Sequence, residues 1–384
     1  MRAGLVTIGL FSVAAAAYIF LPRTPDIAAV CGLEPRPGFT ECVRESVGRI
    51  LDSHGAADVM AMLERDIPAA SCHVIGHIVG EETYMRAPSL EAALAACTPA
   101  CTSACIHGAA GAALAGAVGE ASVDALRHPT LDMVRSYGKD LCSTREACHA
   151  VGHILLQQLQ SVPEALVECS SIADGREPWS CYRGVFMENN TPFSTLNPGE
   201  HAIQRVRDPT DLLSPCLTVG KEYQHACFHF LPLNQRLTFA ERGVTDMGEQ
   251  RALRIEACYA VADASLRDAC FEGVALSLFF YERATPGSAR DACVSLRDER
   301  EEAACMFGFA HLLVSFGRLP EAMQFCRSAE RNVQRACYQA VFDSIQNLGV
   351  MPVENACDGS DNPSCSEVLA AFRNNPQDMV FMWK

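Results

Sequence analysis

No lysine or arginine cluster occurs in the sequence, and the net charge is −15, from 46 acidic against 31 basic residues. Such a surface repels a phosphate backbone, so nucleic acid is not an expected partner. Aromatic residues are scarce at 7%, while hydrophobic residues make up 49%. Alanine and leucine then supply the core, which favours close-packed helices over sheets. Several catalytic signatures are also missing: H-E-x-x-H, G-x-S-x-G, and the C-x-x-C-H of covalent haem, for which Cys101 to His107 ("CTSACIH") has the wrong spacing. "SYGK" at 136–139 and "SDN" at 360–362 echo two penicillin-recognition elements, but they lie far apart, no K-T-G accompanies them, and both read as chance.

Cysteine is plentiful. There are twenty in 384 residues, and few form the close C-x-x-C pairs of zinc ribbons or redox dithiols. Disulfides explain an even, high count more simply, and they persist in the periplasm, the secretory lumen or outside the cell. The first residues agree with export. From Ala3 to Leu21 there is no charge, Arg2 and Arg23 bracket the run, and at about 1.5 Å per residue it spans a roughly 30 Å hydrocarbon layer. Residues 1–25 are therefore expected to be an uncleaved membrane anchor, oriented N-in by the charge before it. The rival reading, a cleaved signal, draws on the small residues of "VAAAA", but the apolar run continues to Leu21 where a polar region should begin. A lipoprotein site at Cys31 is disfavoured by Arg23, Pro25 and Asp26 before it.

Beyond a linker at 26–41, the chain repeats. Eight segments open on cysteine: "CHVIGHIV" at Cys72, "CIHGAAGA" at Cys105, "CHAVGHIL" at Cys148, "CYRGVFME" at Cys181, "CFHFLPLN" at Cys227, "CFEGVALS" at Cys270, "CMFGFAHL" at Cys305 and "CYQAVFDS" at Cys337. The steps between them, 33, 43, 33, 46, 43, 35 and 32 residues, are periods of helical-hairpin arrays. Every opening cysteine after the first has a neighbour shortly before it: Cys97, Cys142, Cys169, Cys216, Cys258, Cys293 and Cys326, with Cys357 and Cys365 as a further pair. Local pairing is the economical assignment, and Cys31, Cys42, Cys72 and Cys101 then remain for two more bridges. Stretches such as "SVPEALVEC", "RLPEAMQFC" and "SLEAALAAC" read as helices that close on cysteine, with Pro163 or Pro320 in a tolerant first turn. The longer steps, "MENNTPFSTLNPGEHAIQRVRDPTD" and "LPLNQRLTFAERGVTDMGEQ", carry proline, asparagine and glycine and are expected to be loops.

Hairpins of this period, with a cysteine ending one and another opening the next, resemble the disulfide-stapled Sel1-like repeats of the Helicobacter cysteine-rich type, relatives of the tetratricopeptide repeats. The resemblance covers most of residues 42–365 and concerns architecture. It implies an α-solenoid that binds partners on its concave face, and it carries no catalytic residue over to this chain. The expected fold is all-α: about eight stapled hairpins over 42–365, following the anchor and ending in a tail at 366–384.

Histidine marks the candidate chemistry. His73, His77 and Glu81 fall at i, i+4 and i+8, as do His149, His153 and Gln157; His225 and His229 make a third i, i+4 pair, and His107 follows Cys105 by two. An H-x-x-x-H pair on one helix face is half of a zinc, copper or iron site. The bland alternative is a packing slot repeated with the hairpin, in which a half-buried histidine bonds a neighbouring carbonyl. Gly76, Gly108, Gly152, Gly184, Gly273 and Gly308 follow the opening cysteines closely; glycine costs a helix about 1 kcal/mol, so its recurrence reads as close helix approach. A sequon at Asn189 to Thr191 matters only in a eukaryotic secretory setting. The expected function is an envelope-anchored, exported helical-repeat scaffold for a protein or peptide partner, with an accessory histidine metal site in its N-terminal half; the alternative is a metal-dependent enzyme or metal-handling protein whose ligands are His73, His77, His149 and His153, with Glu81 a further ligand or base.

Overall fold

The computed structural model describes residues 27–33, 38–116, 131–142, 145–173, 178–190, 206, 208–348, 352–357 and 362–374. These contain eighteen α-helices and no strand. Eight helices each carry one opening cysteine: α4 (Ala69–Arg86), α6 (Ala100–Gly116), α8 (Arg145–Leu159), α10 (Trp179–Asn190), α11 (Lys221–Glu241), α13 (Ala264–Phe280), α15 (Glu299–Ser315) and α17 (Arg331–Leu348). Between them run mostly shorter helices: α5 (Leu90–Ala96), α7 (Leu131–Leu141), α9 (Val162–Ala173), α12 (Met247–Tyr259), α14 (Pro286–Val294) and α16 (Leu319–Arg327). Ahead of these lie α1 (Ile27–Cys31), α2 (Phe39–Leu51) and α3 (Ala56–Asp66), and α18 (Pro363–Asn374) closes the order.

Local sequence explains the starts. Ser89, Asp246, Asp263, Thr285 and Asp298 each cap a helix, their side-chain oxygens accepting backbone N–H groups of the first turn. Disulfides then tie the start of a helix to the segment just before it, which is the end of a preceding helix for Cys97–Cys105, Cys142–Cys148, Cys169–Cys181, Cys258–Cys270, Cys293–Cys305 and Cys326–Cys337, and a turn for Cys216–Cys227 and Cys357–Cys365. Cys31–Cys42 and Cys72–Cys101 complete ten bridges, with no free thiol. A chain so bonded belongs to an oxidising, extracytoplasmic compartment.

Each cysteine-opened helix packs on the next, from α4 through α17. The order also turns back on itself, since α13 meets α4 and α15 meets α6. The cysteine-opened helices are therefore enclosed. From Asp268 to Phe279, every residue of α13 is buried, as expected of a helix whose apolar residues run all round rather than along one stripe. Glycine sets the spacing. A Cβ on Gly152 would stand 2.0 Å from the Cys181 carbonyl oxygen, and one on Gly184 would stand 2.0 Å from that of His149. Gly108 meets the His77 carbonyl in the same way at 1.9 Å.

Several expectations need correction. The segment from Leu231 is not a loop: α11 continues through Pro232 to Glu241. Burial of Phe228, Phe230, Leu231, Leu233 and Phe239 outweighs an interior proline's penalty of about 3 kcal/mol, and Arg254 Nε donates to the Pro232 carbonyl at 3.2 Å. "MENN" likewise ends α10. Outside residues 42–365 the structure also has helix: Ile27 and Cys31 in α1, and Val368, Leu369 and Phe372 in α18, are buried. Asn189 is fully buried, its Oδ1 accepting from Val206 N at 3.1 Å, which leaves no room for a glycan. The Ala3–Leu21 anchor lies outside the described residues; among those described, no helix is long and apolar enough to cross a membrane.

Candidate metal centre

Immediately after Cys72 in α4, and again after Cys148 in α8, begins a pair of histidines four residues apart that faces the same way. Residues four apart on an α-helix differ by about 40° in direction, so each pair projects as a unit. His107 of α6, the helix between them, completes the set. The five rings form one cluster, with centroids 4.7 Å apart for His73–His77, 5.5 Å for His77–His107, 4.8 Å for His107–His149, 4.8 Å for His149–His153 and 5.9 Å for His77–His153. Two triads have ligand nitrogens within 4.8 Å of one another: His73, His77 and His107, and His107, His149 and His153. Glycine contacts permit part of this closeness, since Gly108 is where α6 meets α4, and Gly152 and Gly184 are where α8 and α10 meet.

The nitrogens are oriented as ligands would be. His73 Nδ1 lies 2.8 Å from the Cys101 carbonyl and 2.6 Å from Thr102 Oγ1, and its Nε2 stands 3.1 Å from His77 Nε2. Two imidazole nitrogens about 2.0–2.1 Å from one ion stand about 2.9–3.4 Å apart for angles between square and tetrahedral. His153 Nδ1 lies 2.8 Å from Glu188 Oε2, while its Nε2 is buried with no hydrogen-bond partner. His107 has the same division: Nε2 is 3.3 Å from Glu146 Oε2, and Nδ1 is buried without a partner. A carboxylate or carbonyl behind one ring nitrogen fixes the tautomer and leaves the other for a metal. His149 Nε2 lies 3.3 Å from Met187 Sδ, which brings a thioether to the second triad.

Electrostatics favour the neutral rings that metals require. Burial, and next the neighbouring His107, push His73 down to about 3. Burial holds His77 and His149 well below the usual value, and lowers His107 against the opposing pull of Glu146. The Cys101 carbonyl owes its aim to a break in the first turn of α6, where Cys101, Thr102 and Ser103 all have φ between 55° and 58°. Three consecutive non-glycine residues in the left-handed region store strain of a kind that gathers at functional sites.

Three expected site residues are not brought into this cluster. Glu81, two turns beyond His73, has rotated about 80° from it and forms an ion pair with Arg44 of α2 at 2.5 Å. His229 is held on both sides, by Glu272 Oε2 at Nδ1 (2.9 Å) and by Arg183 Nη2, which donates to Nε2 at 2.9 Å. His225 is only half-buried and shares neither triad. Conversely, Met187, Glu188, Glu146 and Arg183 were not picked out from the sequence. A signal existed: Arg183 and Met187 stand two and six residues beyond Cys181, the slots in which His107 follows Cys105 and His311 follows Cys305.

No family model, no curated protein and no solved structure matches this chain.

Proposed function

We propose that this chain is an exported solenoid of disulfide-stapled, Sel1-like hairpins whose enclosed axis binds a pair of transition-metal ions, as a metal-handling protein or metal-dependent enzyme. The observation that carries this reading is the convergence of five buried imidazoles, with His153 and His107 keeping one partnerless nitrogen each and a carboxylate on the other. One ion takes His73, His77 and His107, and the other His149, His153 and Met187. A soft thioether beside imidazoles selects copper over the harder divalent ions. The run Ala3–Leu21 then anchors the protein with the repeats on the exported side. A role as a scaffold for a protein or peptide partner falls to the outer surface of the repeats.

The test is elemental analysis of the exported domain purified without chelator or reductant. The proposal expects two ions per chain and their loss from the His73→Ala/His149→Ala double variant, with the helical spectrum retained. Folded, fully disulfide-bonded protein that takes up neither copper nor zinc on reconstitution overturns it.

A further inference from the structure

His107 stands at the join of the histidine cluster. Among the described residues it is the one histidine that both triads contain, its ligand atom lying within 4.8 Å of those of His73 and His77 on α4 and of those of His149 and His153 on α8. Its ring centroid is 5.6 Å from His73 and 5.5 Å from His77, and 4.8 Å from His149 and 6.0 Å from His153. Either pair therefore reaches it without any movement of the helices. Yet the ring has one nitrogen to give, because Nε2 faces Glu146 Oε2 at 3.3 Å while Nδ1 is buried with no hydrogen-bond partner. That nitrogen has one lone pair and holds one ion at a time. Three imidazoles on each of two ions would take six rings, and the cluster has five. The sixth ligand is a thioether, Met187 Sδ, 3.3 Å from His149 Nε2.

We infer that His107 is a switching ligand: it completes the His73–His77 site while Met187 completes the other, and passes to His149 and His153 when the first site cannot form. The exchange moves one lone pair from ion to ion, and no electron or proton is transferred. The inference rests on the metal reading and gives it a consequence. The chain holds two ions of a metal that accepts a thioether, such as copper(I), but only one tightly of a metal that does not, such as zinc(II). Repulsion acts in the same sense, since two doubly charged ions repel about four times as strongly as two singly charged ones at equal distance.

The test is competition with a chromogenic chelator, without oxygen for copper(I), on the full chain in detergent. The parent should hold two copper(I) ions of similar affinity, but one zinc(II) tightly and a second at least about tenfold more weakly, the smallest loss expected when even an outer partner of a metal ligand is removed. Met187→Leu should keep one tight copper(I) and weaken the second by at least the same factor. The double variant Met187→Leu/His73→Ala separates a switch from a fixed ligand. If His107 crosses over, one copper(I) binds within about threefold of the tight ion of Met187→Leu, the scatter of independent substitutions, and a further His107→Asn abolishes it. If His107 is fixed, no tight ion remains. Met187→Leu/His77→Ala makes the same test with the His73 to Cys101 bond in place, and circular dichroism checks that each variant keeps its helices. Two zinc ions of equal affinity, no tight copper in folded double variants, or a copper(II) pair magnetically coupled through a His107 bridge overturns the switch while the metal pair stands. A chain that binds neither metal removes both.

Discussion

Gly152→Ala tests the packing on which the whole site depends. The added Cβ would lie 2.0 Å from the Cys181 carbonyl oxygen and 2.9 Å from Val185 N. A carbon next to a carbonyl oxygen normally sits about 3.3–3.6 Å away, so α8 and α10 must separate by more than an ångström. The obstacle is backbone and cannot rotate aside. Overpacking of this kind costs about 1–3 kcal/mol or more, and the helix propensity gained from alanine returns only about 1 kcal/mol. The net expectation is a loss of about 2 kcal/mol, roughly 30-fold in the folding equilibrium. Urea unfolding with disulfides intact and metal removed would show it as a lower midpoint at unchanged slope. Gly111→Ala is the control, because its nearest obstacle is a flexible side-chain atom, Ile154 Cδ1, at 3.7 Å; it should be neutral or stabilising by up to about 1 kcal/mol. The same separation would part His149 from Met187 and His153 from Glu188, so Gly152→Ala should also bind less metal. A Gly152→Ala protein as stable as its parent would refute the close approach of α8 and α10, and with it the cluster geometry.

Other outcomes follow from the same structure. Glu188→Gln, which weakens the acceptor behind His153 Nδ1, should reduce metal affinity about 10- to 100-fold while the fold is kept; competition with a chelator of known affinity measures this, and unchanged affinity removes Glu188 from the site. Met187→Leu should lower copper(I) affinity more than zinc(II) affinity, whereas equal losses would mean that the thioether only packs. Metal-free protein should lose stability on acidification. His73 and His311 are held neutral down to about 3 by burial, so between the ordinary value of 6.5 and pH 3 the unfolded chain binds more protons than the folded one. Each such group then removes up to about 1.4 kcal/mol per pH unit as the pH falls through that window. Glu64, raised to about 7 by burial, acts in the opposite sense, its contribution being full below 4.5 and lost as the pH rises through 7. A denaturation midpoint that is flat from pH 7 to 5 contradicts the buried neutral rings. Replacing Cys72 and Cys101 by alanine opens a loop with a sequence separation of 29, worth about 3.6 kcal/mol in the chain-entropy model, and should also loosen the carbonyl that orients His73.

Much of the architecture was legible in the order of residues, because disulfides join neighbours in the chain. Cysteines close in the chain can be bridged without knowledge of long-range contacts, and nine of the ten bridges span sequence separations of only 6 to 12 residues. Cys72–Cys101 is different: it skips over Cys97, and nothing local distinguishes that partner. The long α11 was hidden because proline and asparagine in "LPLNQRLTFAE" signal a loop, while the burial that overrides them comes from α13 and α12. Glycine recurrence pointed to close helix contact, and the contact is present.

By itself the sequence determined the helical class, the closeness in the chain of the cysteines that flank successive repeats, without their connectivity, and the one-turn spacing of each histidine pair, all of which depend on residues near one another in the chain. Only the tertiary structure decided that α4, α6 and α8 turn those pairs toward one point, that His225, His229 and Glu81 face elsewhere, and that Met187 and Glu188 of α10 stand behind the cluster. The physical reason is angular: a helix fixes the direction of a side chain relative to its own axis, whereas the meeting of four such directions depends on helix spacing and rotation, which the glycine contacts and the enclosing α13 and α15 set.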